Sequence, residues 1–110
     1  MKKKTKTKDR EYYPRWVTSK FLNTRHGIFL LSVFKTGVNL YIYDVVAIAL
    51  TPWHWYTTRI GMLRKLKKQL NIDSHIIKKS IFNYPCMVID SFDSEKDATS
   101  YLNLLTKIIM

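Results

Sequence analysis

Gly27-Ile28-Phe29-Leu30-Leu31-Ser32-Val33-Phe34-Lys35-Thr36-Gly37-Val38-Asn39-Leu40-Tyr41-Ile42-Tyr43-Asp44 is the stretch on which the fold turns. Ile28 to Phe34 is apolar apart from Ser32 and rich in aromatic and β-branched side chains, which is the pattern of a strand buried on both faces. Val38 to Tyr43 alternates instead, with Val38, Leu40 and Ile42 on one side and Asn39, Tyr41 and Tyr43 on the other, the period of a half-buried strand. Thr36-Gly37 between them predicts a tight hairpin, since Gly tolerates the positive φ that such turns need. Val45 to Leu50 is β-prone as well and predicts a third strand after a break near Asp44, ended by Thr51-Pro52.

Further along the chain the period changes from two to that of a helix. Thr57 or Thr58 can cap a helix over about 58 to 71 whose apolar stripe is Ile60, Leu63, Leu66 and Leu70, with Gly61 a weak point near its start. Asp73 or Ser74 can cap a short segment holding Ile76, Ile77 and Ile81, closed by Tyr84-Pro85. Cys86 to Ile89 reads as a short strand. Ser94 with Asp97 approximates a capping box, and Ala98, Tyr101, Leu102, Leu105, Ile108 and Ile109 then make one apolar helical face. The expected class is α/β: a small mixed sheet, a hairpin plus one or two further strands, packed by two or three helices.

Upstream, Met1 to Arg10 has no apolar residue after the initiator and repeats like charges, so burial cannot offset the entropy of ordering it and a disordered basic arm is expected. Tyr12 to His26 mixes aromatic and basic residues without a period, and Pro14 opposes a helix there. This reads as an extended, irregular collar with a short turn around Thr18 to Leu22. The expected division is residues 1–26 as arm and collar and residues 27–110 as one α/β domain, which 110 residues suffice to fill.

The chain carries 19 Lys and Arg against 8 Asp and Glu, a formal charge of +11, and so favours a polyanionic partner. The charge is segregated. Residues 1–26 carry +7 and residues 59–79 carry +6, whereas residues 86–110 carry −2. The longest apolar stretch, from Val45, is interrupted by Pro52 and His54 and falls short of a bilayer span, and the basic start leads into no apolar run, so neither a membrane helix nor a secretory signal is expected. One cysteine, Cys86, permits no intrachain disulfide. Heavy use of Lys, Ile, Asn, Tyr and Phe suggests an AT-rich genome, as in an organelle or a phage.

Catalytic and metal chemistry finds little to work with. His26, His54, His75 and Cys86 lack paired ligand spacing. Cys86 sits in the apolar run Cys86-Met87-Val88-Ile89, where a packing role outweighs a nucleophilic one. Asp90, Asp93, Glu95 and Asp97 could hold Mg²⁺ in a nuclease, but acids before a helix are explained by its dipole. Gly27, Gly37 and Gly61 form no phosphate loop. No enzyme, cofactor, metal or small-molecule substrate is expected.

Nucleic acid is what the remaining residues favour. The arm supplies Lys2, Lys3, Lys4, Lys6, Lys8 and Arg10, the collar Arg15 and Arg25, and the helix Arg59, Arg64, Lys65, Lys67 and Lys68, with Lys78 and Lys79 beyond it. Phosphate contacts by such cations supply most non-specific affinity, although a solvated basic face is common in its own right. Trp53, Trp55 and Tyr56 precede the helix; aromatics beside cations can stack on unpaired bases, or simply close the core.

The span Gly27 to Asp44 resembles the opening hairpin of the eleventh protein of the small ribosomal subunit, where a Gly-Ile also begins a strand, a short polar turn follows and a second strand ends at Asp. The later element order is similar, while that family's glycine-rich segment and basic tail are missing here. The resemblance implies a structural, rRNA-binding protein of a mitochondrial ribosomal subunit in the mitochondrial matrix, surrounded by RNA and neighbouring proteins and without a membrane. The alternative is a phage-encoded accessory protein, binding nucleic acid or inhibiting a host enzyme, in the cytoplasm of an infected bacterium; its strong positive charge disfavours a mimic of the phosphate backbone.

Overall fold

A computed structural model describes residues 15–35, 42–50, 56–81 and 84–109, with backbone alone at 56, 57 and 77–81. Five strands and two helices follow in the order β1 (Arg15–Thr24), β2 (Gly27–Lys35), β3 (Tyr43–Ala49), α1 (Tyr56–Leu70), β4 (Ile76–Ile81), β5 (Tyr84–Phe92) and α2 (Glu95–Ile109). The strands form one sheet in the order β1-β2-β3-β5-β4. The α/β class stands, but every pairing is antiparallel, so the sheet is not mixed.

β2 runs through the expected apolar stretch, with Phe29, Leu31 and Val33 buried on one face and Phe34 on the other. Its partner differs from the expected one. Lys35 pairs with Tyr43 and Phe34 with Asp44, so β3 starts at Tyr43 and continues unbroken to Ala49. A tight turn at Thr36-Gly37 would have paired Lys35 with Val38; residues 36–41 themselves lie outside the described set. Asp44 is tolerated inside a strand because its carboxylate accepts a 2.6 Å hydrogen bond from the Ser91 hydroxyl on neighbouring β5.

The expected collar is a ten-residue edge strand, β1, paired with β2 from Arg15↔Lys35 to Thr24↔Gly27. A domain boundary at residue 26 would therefore cut a hairpin. Arg25 and His26 form its two-residue loop: the Thr24 hydroxyl accepts from the His26 backbone N–H at 3.0 Å and donates to the Gly27 carbonyl at 2.9 Å. Gly27 holds φ at 123°, which a side chain at this position would strain. The register slips between Trp16 and Thr18, leaving Val17 as a bulge.

Residues 76–81 are strand β4 rather than a capped helical segment, in keeping with the β preference of Ile76-Ile77. β5 extends well beyond Cys86 to Ile89 and lies between β3 and β4.

Both helices cover the same face of the sheet. Ile60 and the triplet Met62, Leu63 and Leu66 of α1 are buried, and Met62, Leu63 and Leu66 share a core cluster with Ala98, Leu102, Leu105 and Ile109 of α2 and with Leu22, Phe29, Leu31, Val45, Ala47 and Met87 of the strands. α1 starts at Tyr56, so Thr57 and Thr58 fall inside its first turn instead of capping it. Its other end is closed by Asn71 at φ 55°: the Asn71 N–H donates to the Lys68 carbonyl and the Ile72 N–H to the Lys67 carbonyl, with Ile72 packed on the core. α2 begins as expected, the Ser94 hydroxyl accepting from the Asp97 N–H at 3.3 Å. The opposite sheet face carries a smaller cluster, Phe34, Val46, Ile48 and Cys86, with no apolar helix side chain among the described residues, though Arg59 of α1 reaches the Tyr84 ring packed against it.

Candidate nucleic-acid interface

α1 divides cleanly around its axis. Its buried stripe turns Arg64, Lys65 and Lys68 outward, all exposed, with Lys67 half-buried beside them. No acid lies in the first turn, and none occurs anywhere between Asp44 and Asp73. Within the helix, then, the five cations have no opposite charge to offset them. Lys67 and Lys68 complement the dipole at the carboxyl end, which accounts for part of the pattern; Arg64 and Lys65 lie before that last turn.

Arg59 belongs elsewhere. It is half-buried and its guanidinium lies 5.0 Å from the centroid of the Tyr84 ring on β5, so it braces the helix against the sheet rather than joining the outward ridge. Arg15 and Arg25 are both exposed but sit at opposite ends of β1, about 30 Å apart at the rise of a strand. Among the described residues, the expected basic side chains are thus spread over the helix layer and one sheet edge, not gathered in a single patch. Lys2, Lys3, Lys4, Lys6, Lys8, Arg10, Trp53 and Trp55 lie outside the described residues, as do the side chains of Tyr56, Lys78 and Lys79.

Three of the four acids Asp90, Asp93, Glu95 and Asp97 have local roles at the end of β5 and the start of α2. Asp90 accepts from the Ser91 backbone N–H at 2.8 Å, and Glu95 and Asp97 occupy the first turn of α2. Among the described residues no three His, Cys, Asp or Glu side chains come together as ion ligands. Cys86 is fully buried against Phe34, Val46 and Ile48. Burial holds the Tyr101 phenol above its ordinary pKa, and the Asp90 carboxylate adds to the rise; the Tyr101 ring also packs 5.1 Å from Phe92. An open polar cleft of about 320 Å³ lies where the β1–β2 turn meets the carboxyl ends of both helices, with Arg25, His26, Asn23 and Gln69 around it.

β1 adds three residues that the sequence does not single out: Lys20, Trp16 and Phe21. Lys20 and Phe21 are exposed and Trp16 nearly half so. Cations and aromatics do alternate there, but the pattern has no regular period until the strand and its bulge are known. No family model, curated protein or solved structure matches the chain.

Proposed function

We propose that this protein is a non-enzymatic RNA-binding component of a ribonucleoprotein, held to the phosphate backbone by the outward ridge of α1. The observation that carries the reading is the ridge itself: Arg64, Lys65 and Lys68 point to solvent from a helix without one acidic residue. Folding needs only the opposite, apolar stripe of this helix. Three or more unneutralised cations on one face repel one another, and a polyanion relieves that repulsion while releasing its counterions. The hairpin resemblance makes an organellar ribosomal subunit the first assembly to test, although the strand carrying the second half of that resemblance begins at Tyr43 instead of Val38.

A salt titration of RNA binding tests the reading. Affinity should fall steeply and log-linearly with salt, and Arg64, Lys65 and Lys68 changed together to Gln should flatten the slope by about 0.7 to 0.9 for each phosphate that is no longer neutralised. Binding that ignores salt, or a triple variant that binds like the wild type, would remove the helix from the interface. Sedimentation of the tagged protein with a subunit-sized particle tests the ribosomal assignment separately.

A further inference from the structure

The cleft between the β1–β2 turn and the carboxyl ends of the two helices brings together a cation, an amide and an exposed apolar side chain. Its volume, about 320 Å³, lies at the lower end of sites that take small organic ligands and admits one nucleoside-sized group. Arg25 and His26 border it from the turn, Gln69 from the last turn of α1 and Ile108 from the last turn of α2. The turn is held in place by the two hydrogen bonds of the Thr24 hydroxyl and by Gly27 at φ 123°. Ile108 is 55% exposed, beside the buried stripe of α2 rather than within it, so core packing leaves most of its apolar surface free.

The side-chain charge at this site is positive. Arg25 is exposed, and no acidic side chain lines the cleft among the described residues. The sequence has no acid from residue 12 to 43, from 45 to 72 or from 98 to 110, the segments that supply the walls. Lys65, also exposed, stands one turn before Gln69 on the same flank of α1, so the outward ridge of that helix runs into the cleft. The helix wall differs from the turn wall, because both helices bring the negative ends of their dipoles here. A ligand that suits both walls is anionic towards Arg25 and a neutral hydrogen-bond donor towards the helix ends. A nucleotide in an RNA strand has this polarity: its phosphate suits Arg25, the exocyclic amine of its base suits the helix ends, and its ring covers Ile108.

We propose that the cleft holds one unpaired, amine-bearing base of an RNA strand whose phosphates lie on Arg25 and on the ridge of α1. The proposal rests on the RNA-binding reading and goes further by assigning a base-specific site. Adenine is the best-matched base, because a glutamine amide accepts from its N6 amine and donates to its N7, a two-point contact that uracil, without an amine, does not offer to Gln69.

The test measures binding of labelled octauridylate, of the same strand with one central adenine, and of a duplex in which that adenine is paired, to the full chain and to its Gln69→Ala and Arg25→Gln variants. The wild type should prefer the adenine strand to octauridylate by about 5- to 150-fold, the discrimination of one two-point base contact, and should show no such preference when the adenine is paired. Gln69→Ala should abolish the preference while leaving octauridylate binding and the salt slope unchanged. Arg25→Gln should weaken both single strands and flatten the slope by about 0.7, one phosphate's share. Equal binding of the two single strands by the wild type, or a preference that survives Gln69→Ala, overturns the site; if the salt slope stays steep, the α1 ridge still stands. Loss of circular dichroism in Gln69→Ala makes the amide structural and overturns the site as well. Free AMP that binds as tightly as the adenine strand overturns the assignment to RNA in favour of a mononucleotide. Absence of any salt-dependent RNA binding removes both the cleft and the ridge.

Discussion

α1 and α2 are both fifteen residues long and both lie on the same face of one sheet, yet they are built to different specifications. α2 has a serine cap, Glu95 and Asp97 at its amino end, Lys107 at its carboxyl end and a stripe of Ala98, Leu102, Leu105 and Ile109; each of its features serves helix formation or packing. α1 has no acid in its first turn, carries Gly61 in its interior and crowds cations on its outer surface. Local stability explains α2 and leaves much of α1 over. What folding does not require of α1 is the part that a ligand can use.

The two helices should nonetheless depend alike on the core they share. Leu66→Ala in α1 and Leu102→Ala in α2 each empty a fully buried site and should each cost about 2–5 kcal/mol in chemical denaturation. A negligible cost for Leu66→Ala would mean that α1 is held by its charges or its ligand instead.

Gly61→Ala should raise stability by about 1 kcal/mol, since no heavy atom lies within 4 Å of the position a methyl group would take and Ala is the better helix former. Ser94→Ala should lower it by about the same amount through loss of the cap on the Asp97 N–H. Opposite signs at these two positions in thermal melts would sharpen the contrast between an unoptimised helix and an optimised one. Two changes of the same sign would undo it.

The weakest effect concerns pH. The folded state binds the Tyr101 proton more tightly than the unfolded chain does, so this contribution is complete below the ordinary tyrosine range and is lost as pH rises through it and beyond. Stability should therefore decline in alkali by more for the wild type than for Tyr101→Phe. Asp90→Asn should remove only the smaller, electrostatic part, which a matched series of denaturation curves would resolve.

Short-range periodicity made β2, most of the buried stripe of α1 and the extent of α2 legible from residues alone, because the groups that define them lie within a few positions of one another; it missed buried Met62 and placed Ile108, which is exposed, on the apolar face of α2. The separation of charge into basic and acidic regions was equally plain, being a property of composition. β1 was not: Trp16 to Asn23 reads as aperiodic because the Val17 bulge breaks its alternation and because, as an edge strand, it buries little beyond Leu22. Residues 76–81 offered β-branched side chains compatible with either a helix or a strand, and their pairing with β5 settles the choice. The pairing of β3 with β5 likewise brings Ser91 to Asp44 across 47 positions of sequence, a hydrogen bond no local pattern encodes. The outward cations of α1 follow from helical spacing around an apolar stripe. The exposed rings of β1 follow from a register slip, which is a property of two paired strands and hence visible only once β2 lies alongside.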